Sequence, residues 1–294
     1  MLIARHADAV VAWAPAKVNL YLEILRKRLD GYHDIATLMV AVTLYDTLEF
    51  RDDHSGGIRL ECNEAGLSTG PENLVYRAAL LLRRQAPARH GTTIRLRKRI
   101  PVAAGLGGGS SDAAATLAAL NQLWQLGLSK VQLMDLGAQI GSDVAFFFST
   151  PAAWCTGRGE RVTPLSLATA LWFVLLCPHM GLATADVYRN AAVSAQPEDG
   201  TSLLRAVDTG DVEEMGRQMH NRLQRAAQEL CPALAGLRAR IEGFGPAGQM
   251  LSGSGTTLFA LCRNRSEAQR IAQGLRTGSR ERMDPRVFIV RSCS

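Results

Sequence analysis

Gly105-Leu106-Gly107-Gly108-Gly109 packs four glycines into five positions, and Ser110-Ser111-Asp112 follow directly. No other stretch constrains the fold as much. Ahead of it, Thr92 to Ile100 places Ile94, Leu96 and Ile100 on one face and Arg95, Arg97 and Arg99 on the other, the period of an edge or half-exposed strand with a solvated arginine face. Behind it, Ala113 to Leu126 is rich in alanine and leucine and reads as a helix. Glycines at a strand-to-helix junction allow positive φ and close approach of a ligand, while the helix start offers unpaired N–H groups and the positive end of its dipole. Such a junction suits a polyphosphate. Ser110 and Ser111 add hydroxyls that can cap the helix, donate to phosphate oxygens or reach a bridging Mg²⁺. The plainer reading is a flexible loop before a helix capped by Ser110 or Asp112.

Several phosphate-binding designs are excluded. There is no Gly-Lys-Ser/Thr, the position expected for the third glycine of a dinucleotide fingerprint is Ser110, and neither HRD, DFG nor G-x-S-x-G occurs. The histidines have no paired-ligand spacing, so no zinc site built by the protein is expected.

Charge narrows the partners. The 294 residues carry 33 Lys+Arg against 27 Asp+Glu, a net +6, and only Lys17, Lys27, Lys98 and Lys130 are lysines. The cations form no basic run, which argues against nucleic acid or an anionic membrane as the partner. The longest uninterrupted apolar run, Ala170 to Cys177, is too short to span a bilayer, and the N-terminal residues lack the apolar core of a secretory signal. A cytoplasmic protein with reduced cysteines and no obligate protein partner is expected.

Along the chain, strands are expected at Trp13 to Arg28, Thr37 to Phe50, Ile58 to Cys62, Trp172 to Cys177, Thr257 to Cys262 and Arg286 to Arg291. Helices are expected at Asn73 to Arg84, Lys130 to Ile140, Ser202 to Thr209, Val212 to Leu230, Leu234 to Glu242 and Glu267 to Leu275. Strands and helices mixed without strict alternation give an α+β class in two domains, divided as 1–162 and 163–294.

Five segments in order carry a resemblance: Pro15-Ala16-Lys17-Val18-Asn19-Leu20, Asp30-Gly31-Tyr32-His33-Asp34, Gly105 to Asp112, Gly141-Ser142-Asp143-Val144 and Leu251-Ser252-Gly253-Ser254-Gly255. Together they resemble the ordered motifs of the GHMP kinases, with small departures at Leu29, Val102 and Ala145. The resemblance implies an N-terminal ATP-binding domain like the second domain of ribosomal protein S5, and a ferredoxin-like C-terminal domain contributing to the substrate cleft. It implies ATP, with Mg²⁺, as phosphoryl donor and a small-molecule alcohol as acceptor. The branch it matches best acts on the 2-hydroxyl of a cytidine-diphosphate-linked methylerythritol in non-mevalonate isoprenoid synthesis.

By the same resemblance, Pro101, Val102, Ala103, Ala104, Gly105, Leu106, Gly107, Gly108, Gly109, Ser110 and Ser111 form the ATP phosphate loop, with Asn73 and Leu74 near the adenine. Lys17 and Asp143 form the catalytic pair. Asn19, Tyr32, His33, Thr184 and Tyr188 hold the cytidine diphosphate, Tyr32 stacking on cytosine, His33 reading its edge and Tyr188 giving a second aromatic face. Any protein ligand to Mg²⁺ is Ser110 or Ser111. Taken singly, Lys17 reads as a surface cation, Asp143 as a helix-end cap and Tyr188 as packing. Two other functions stay open: a GHMP kinase for mevalonate, phosphomevalonate or homoserine, and a nucleotide-binding regulator that has lost catalysis.

Overall fold

The computed structural model describes residues 1–6, 8–86, 90–277 and 285–294. In chain order the elements are β1 (Leu2–Arg5), β2 (Ala9–Lys27), β3 (His33–Asp52), β4 (Ile58–Cys62), α1 (Leu74–Arg83), β5 (Thr92–Arg97), α2 (Gly108–Leu123), α3 (Lys130–Ile140), β6 (Ala152–Gly157), β7 (Arg161–Leu165) and β8 (Trp172–Cys177). Then come α4 (Thr184–Asn190), α5 (Thr201–Thr209), α6 (Val212–Gln218), β9 (His220–Asn221), α7 (Gln224–Leu230), α8 (Ala233–Glu242), β10 (Gly248–Leu251), β11 (Leu258–Cys262), α9 (Arg265–Thr277) and β12 (Arg286–Arg291). The fold is α+β, and none of the six cysteines, all among the described residues, forms a disulfide.

Two compact units are interleaved along the sequence: unit 1 takes residues 1–16, 44–100 and 107–150, and unit 2 takes 17–43, 101–106 and 151–294. In unit 1, β1 pairs antiparallel with the start of β2, the end of β3 pairs antiparallel with β5, and β5 pairs parallel with β4. The arginine face of the β5 segment is exposed as expected, although β5 has a neighbour on each side rather than lying at an edge. Helix α1 is capped by Asn73, whose Oδ1 accepts from the Val75 N–H at 2.9 Å. Ser129 and Gln132 form a capping box at the start of α3.

Helix α2 begins at Gly108, five residues before the alanine-rich stretch alone suggests. Gly107, with φ +67°, is its N-cap, and the Ser111 N–H closes onto the Gly107 carbonyl at 2.9 Å. Glycine in a helix costs about 1 kcal/mol relative to alanine, so propensity argues against an early start. Here the glycines form the first turn and leave its N–H groups without side-chain cover.

In unit 2, β10, β11, β8 and β12 form a four-stranded antiparallel sheet in that order, with Phe259 opposite Leu175 and Leu175 opposite Phe288. Its core joins Val174, Leu176, Leu258 and Ala260 of this sheet to Leu22 and Ile24 of β2, Leu223, and Ile271 of α9. The early part of β3 pairs with β6, and β6 with β7.

The continuous helix expected over Val212 to Leu230 does not form. It is interrupted by β9, which pairs parallel with β2 in the register Tyr21 to His220 and Leu22 to Asn221. Tertiary contacts override helical periodicity here. The Glu23 carboxylate, fully buried, accepts from Arg222 Nε at 2.7 Å and Nη2 at 2.6 Å, and from the main-chain N–H groups of Ile24 (2.8 Å) and Glu198 (3.0 Å); His220 Nε2 lies 3.1 Å away. Burial alone raises the pKa of Glu23, but the hydrogen bonds from Arg222 and the two N–H groups outweigh it and leave it below the ordinary glutamate value.

Replacing Glu23 by alanine strips the partner from Arg222 and from both N–H groups, and is expected to lower unfolding stability by about 3–5 kcal/mol, read by urea denaturation. Because the folded pKa is depressed, the Glu23 contribution is present above its unfolded pKa of about 4.3 and is lost as pH falls through the lower folded value. Acid unfolding of Glu23→Gln is therefore expected to depend less steeply on pH than that of the parent.

Candidate active site

Unit 2 surrounds Lys17 with polar groups. Buried at 4% exposure, its Nζ donates to Asn19 Oδ1 at 2.7 Å and to the Gly105 carbonyl at 3.1 Å. Asn19 Nδ2 donates to Thr37 Oγ1 at 2.8 Å, and the Thr37 hydroxyl donates to the Tyr21 carbonyl at 2.6 Å, so the chain of donors ends on β2 itself. The Gly105 carbonyl also accepts from Ser252 Oγ at 3.0 Å. Gly105 has φ +76°, and a Cβ there would run into the Ser252 carbonyl, so no other residue fits this position. Two main-chain bonds fasten the same loop: Lys17 N–H to Leu106 O at 2.9 Å and Thr257 N–H to Ala104 O at 3.1 Å. Lys17 is thus part of a buried network rather than a surface cation.

Unit 1 holds the second half of the glycine run. Beneath Gly108, Lys98 is buried between two carboxylates: it is paired with Asp46 and donates to Asp112 Oδ2 at 2.7 Å. Asp46 Oδ1 accepts the N–H groups of Arg99 (2.5 Å) and Ile100 (2.9 Å). The triad therefore joins the residues just before the loop to the first turn of α2 just after it. Ser111 Oγ and Asp112 Oδ1 are buried and have no hydrogen-bond partner in the protein. Burial, opposed by the charge of Lys98 and aided by that of Asp46, pushes the Asp112 carboxyl up to about 7. Leu74 lies against Gly109, with its Cδ1 3.4 Å from where a Gly109 Cβ would stand. Asn73 spends both ends of its amide on local structure, since Nδ2 donates to the Ser68 carbonyl at 2.7 Å. Asp143 is half-buried, just beyond the Gly141 that ends α3.

The remaining expected substrate residues lie in unit 2. His33 stacks on Tyr188 with ring centroids 5.3 Å apart and planes 27° apart. Burial, then the nearby Lys27 charge, lowers the pKa of His33, favouring a neutral ring with one donor and one acceptor nitrogen. Tyr32 is exposed and has the Arg158 guanidinium over its ring at 4.9 Å. It sits at the end of a turn closed by Arg28 N–H to Tyr32 O at 2.8 Å and pinned by the Arg28–Asp30 ion pair at 2.8 Å. Thr184 Oγ1 lies 3.0 Å from Ser254 Oγ.

Sequence reasoning missed Arg158, Asp46 and Lys98. Arg158 is hard to single out among so many arginines, whereas the scarcity of lysine was a usable signal for Lys98.

Residues 73–150 match the family described as GHMP kinases N terminal domain, and residues 203–279 match GHMP kinases C terminal. A curated protein named 4-diphosphocytidyl-2-C-methyl-D-erythritol kinase from Pelotomaculum thermopropionicum is 41% identical over 285 residues, covering 96% of this chain and 98% of its own. The chain belongs to the GHMP kinases. One from Shouchella clausii with the same name is 42% identical to this kinase over 264 residues, 90% of this chain and 89% of its own. Among solved structures, a 4-(cytidine 5'-diphospho)-2C-methyl-D-erythritol kinase superposes with a TM-score of 0.80 at 34% identity, covering 97% of this kinase and 100% of that chain. The homoserine kinase of Cytophaga hutchinsonii, at 20% identity, superposes with a TM-score of 0.79 over 100% of this kinase and 97% of its own chain, a likeness of fold alone.

The buried triad generates a pH prediction. With its folded pKa raised, Asp112 stabilises the fold fully below its unfolded pKa of about 3.9, and that contribution is lost as pH rises through about 7. Asp112→Asn keeps an oxygen for Lys98 but cannot ionise. Thermal unfolding at pH 5.5 and 8.5 is expected to show a smaller loss of stability toward alkaline pH in the variant than in the parent.

Proposed function

We propose that this kinase transfers the γ-phosphoryl group of ATP to the 2-hydroxyl of 4-diphosphocytidyl-2-C-methyl-D-erythritol, a step of non-mevalonate isoprenoid synthesis. The observation that carries this reading is the 41% identity, over 96% of the chain, to a protein that bears the name of that activity. The site residues support it by chemistry. Phosphoryl transfer passes through a loose transition state, so the protein's work is to position the reactants and stabilise charge on the phosphoryl oxygens.

In this proposal the main-chain N–H groups around Gly107 to Ser111 hold the ATP phosphates, supported by the open first turn of α2. Leu74, against Gly109, lies on the adenine side with Asn73, whose amide is committed to capping α1, so its part is to shape the pocket. Mg²⁺ accompanies ATP, and the partnerless, buried Ser111 hydroxyl fits an oxygen ligand for it, with Ser110 as the alternative. The ion supplies neutralisation of phosphate charge.

Asp143 orients the acceptor hydroxyl and takes its proton late in the transfer, when the oxygen has begun to bond to phosphorus. Lys17 offsets negative charge at the reacting centre, held for this by Asn19 and the Gly105 carbonyl. Tyr32, with Arg158 over its ring, stacks on the cytosine and the neutral His33 ring reads its edge; Tyr188, against which His33 stacks, supplies a second aromatic face, and the Thr184 hydroxyl is a polar contact beside them. An aromatic pair favours a substrate with a base over mevalonate or homoserine.

In this proposal residues 1–162 are the ATP-binding domain and 163–294 a C-terminal domain contributing to the substrate cleft, and each family match lies whole on its own side of that division, whereas the compact units of the fold divide the chain differently. No helix among the described residues is long and apolar enough to cross a membrane. A cytoplasmic site of action, with no obligate protein partner and no nucleic-acid partner, is part of the proposal; the lack of a basic run in the sequence supports the nucleic-acid part of it.

Purified protein is expected to consume ATP with the cytidine diphosphate alcohol and not with mevalonate, phosphomevalonate or homoserine; the opposite preference in a coupled ADP assay would overturn the assignment. Asp143→Asn is expected to lower kcat by about 10²–10⁴-fold while ATP still binds. Unchanged turnover in that variant would remove Asp143 from its role. Tyr188→Ala is expected to raise KM for the cytidine substrate and leave KM for ATP unchanged.

A further inference from the structure

Two features of unit 2 meet at one side chain. The turn Ser252-Gly253-Ser254-Gly255 stands out in the sequence without a chemical role, and β9 interrupts a segment of helical periodicity. Asn221 of β9, 9% exposed, uses both of its amide N–H groups on that turn, donating to the Leu251 and Gly253 carbonyls at 2.8 Å each. Its Oδ1 accepts from the Leu223 N–H at 2.9 Å. The side chain is thereby saturated, and its two donors grip the entry and the tip of the turn.

The turn in its place covers Lys17. Gly253 has φ +56°, and a Cβ added there would stand 3.3 Å from Lys17 Nζ and 3.2 Å from Asn19 Oδ1. Ser252 shares with Lys17 the Gly105 carbonyl as acceptor. Asn221 is itself set by the register of β9 on β2 and by the ion pair of the adjacent Arg222 with Glu23. A continuous line of contacts therefore runs from Glu23 through Arg222 and Asn221 to the main chain over the ammonium.

We infer that Asn221 is a positioning residue for Lys17: it holds the Ser252–Gly255 turn against the ammonium and so keeps Lys17 on Asn19 and the Gly105 carbonyl. The consequence for turnover rests on the proposed catalytic role of Lys17; the consequence for Lys17 itself does not. A merely structural amide would change stability and leave the surroundings of Lys17 in the folded protein as they are.

The test is trace acetylation of the folded protein, read by mass spectrometry at Lys17, with Lys98 as internal control and exposed Lys130 as reference. Asn221→Asp keeps the size and the acceptor for Leu223 but loses both donors. In this variant Lys17 labelling relative to Lys98 is expected to rise by about threefold or more, with kcat falling about tenfold and KM for ATP within about twofold of the parent. Unchanged Lys17 labelling in folded Asn221→Asp overturns the inference whatever turnover does. If that variant does not fold, Gly253→Ala moves the same turn with Asn221 intact, and unchanged Lys17 labelling there overturns it equally. A parent enzyme inactive on the cytidine substrate would defeat the proposed function, while the labelling result would still decide the role of Asn221.

Discussion

Much of unit 2 depends on a single oxygen. The Gly105 carbonyl accepts from Lys17 Nζ and from Ser252 Oγ, so one main-chain atom joins the glycine-rich loop, the β2 lysine and the glycine turn before β11. That convergence needs a residue with positive φ and no Cβ, because the Ser252 carbonyl occupies the space a side chain would take. It also explains why Lys17 tolerates burial. Its charge sits among oriented oxygens, each of which is anchored to a strand or a loop.

Unit 1 buries charge differently. Lys98 faces two carboxylates, Asp46 and Asp112, and one oxygen of Asp112 lacks a partner. One ammonium cannot fully compensate two buried anions, which is why the Asp112 carboxyl is pushed up to about 7 while the lysine stays charged. The arrangement gains geometry: strand end and helix start are tied together on either side of the glycine loop. Glu23 in unit 2 is the opposite case, a buried carboxylate with enough donors to remain ionised.

Elements decided by local pattern were legible in the sequence. Ile58–Cys62, Lys130–Ile140, Trp172–Cys177 and Arg286–Arg291 fall where periodicity places them. Elements decided by distant partners were not. Val212 to Leu230 keeps helical spacing throughout, and only the pairing of His220 and Asn221 with β2, some 200 residues away, splits it. The start of α2 lies ahead of the alanine-rich stretch because Gly108 and Gly109 enter the first turn despite the propensity that argues against glycine in a helix. The expected site residues come from a resemblance carried by short local motifs; the contacts of Asp46, Asn221 and Arg158 reach across the fold and leave no local mark. The stacking of His33 on Tyr188 joins residues that no spacing rule connects.

The interleaving of the two units bears on how the chain is made. The Ala41 carbonyl accepts the Cys293 N–H at 2.8 Å, and Val42 bridges to Ser292, so β3 is fastened by residues from the opposite end of the sequence. During synthesis, the first strands of unit 2 emerge long before the residues that secure them. Their apolar faces, including Leu22 and Ile24, must wait for the β8–β12 sheet to cover them. Pairings this far apart in sequence also slow folding, since loop closure precedes the contacts that reward it. Loss of Ser292 and Cys293 would therefore be felt both in β3 and at Leu171 ahead of β8, each far from the cut in sequence.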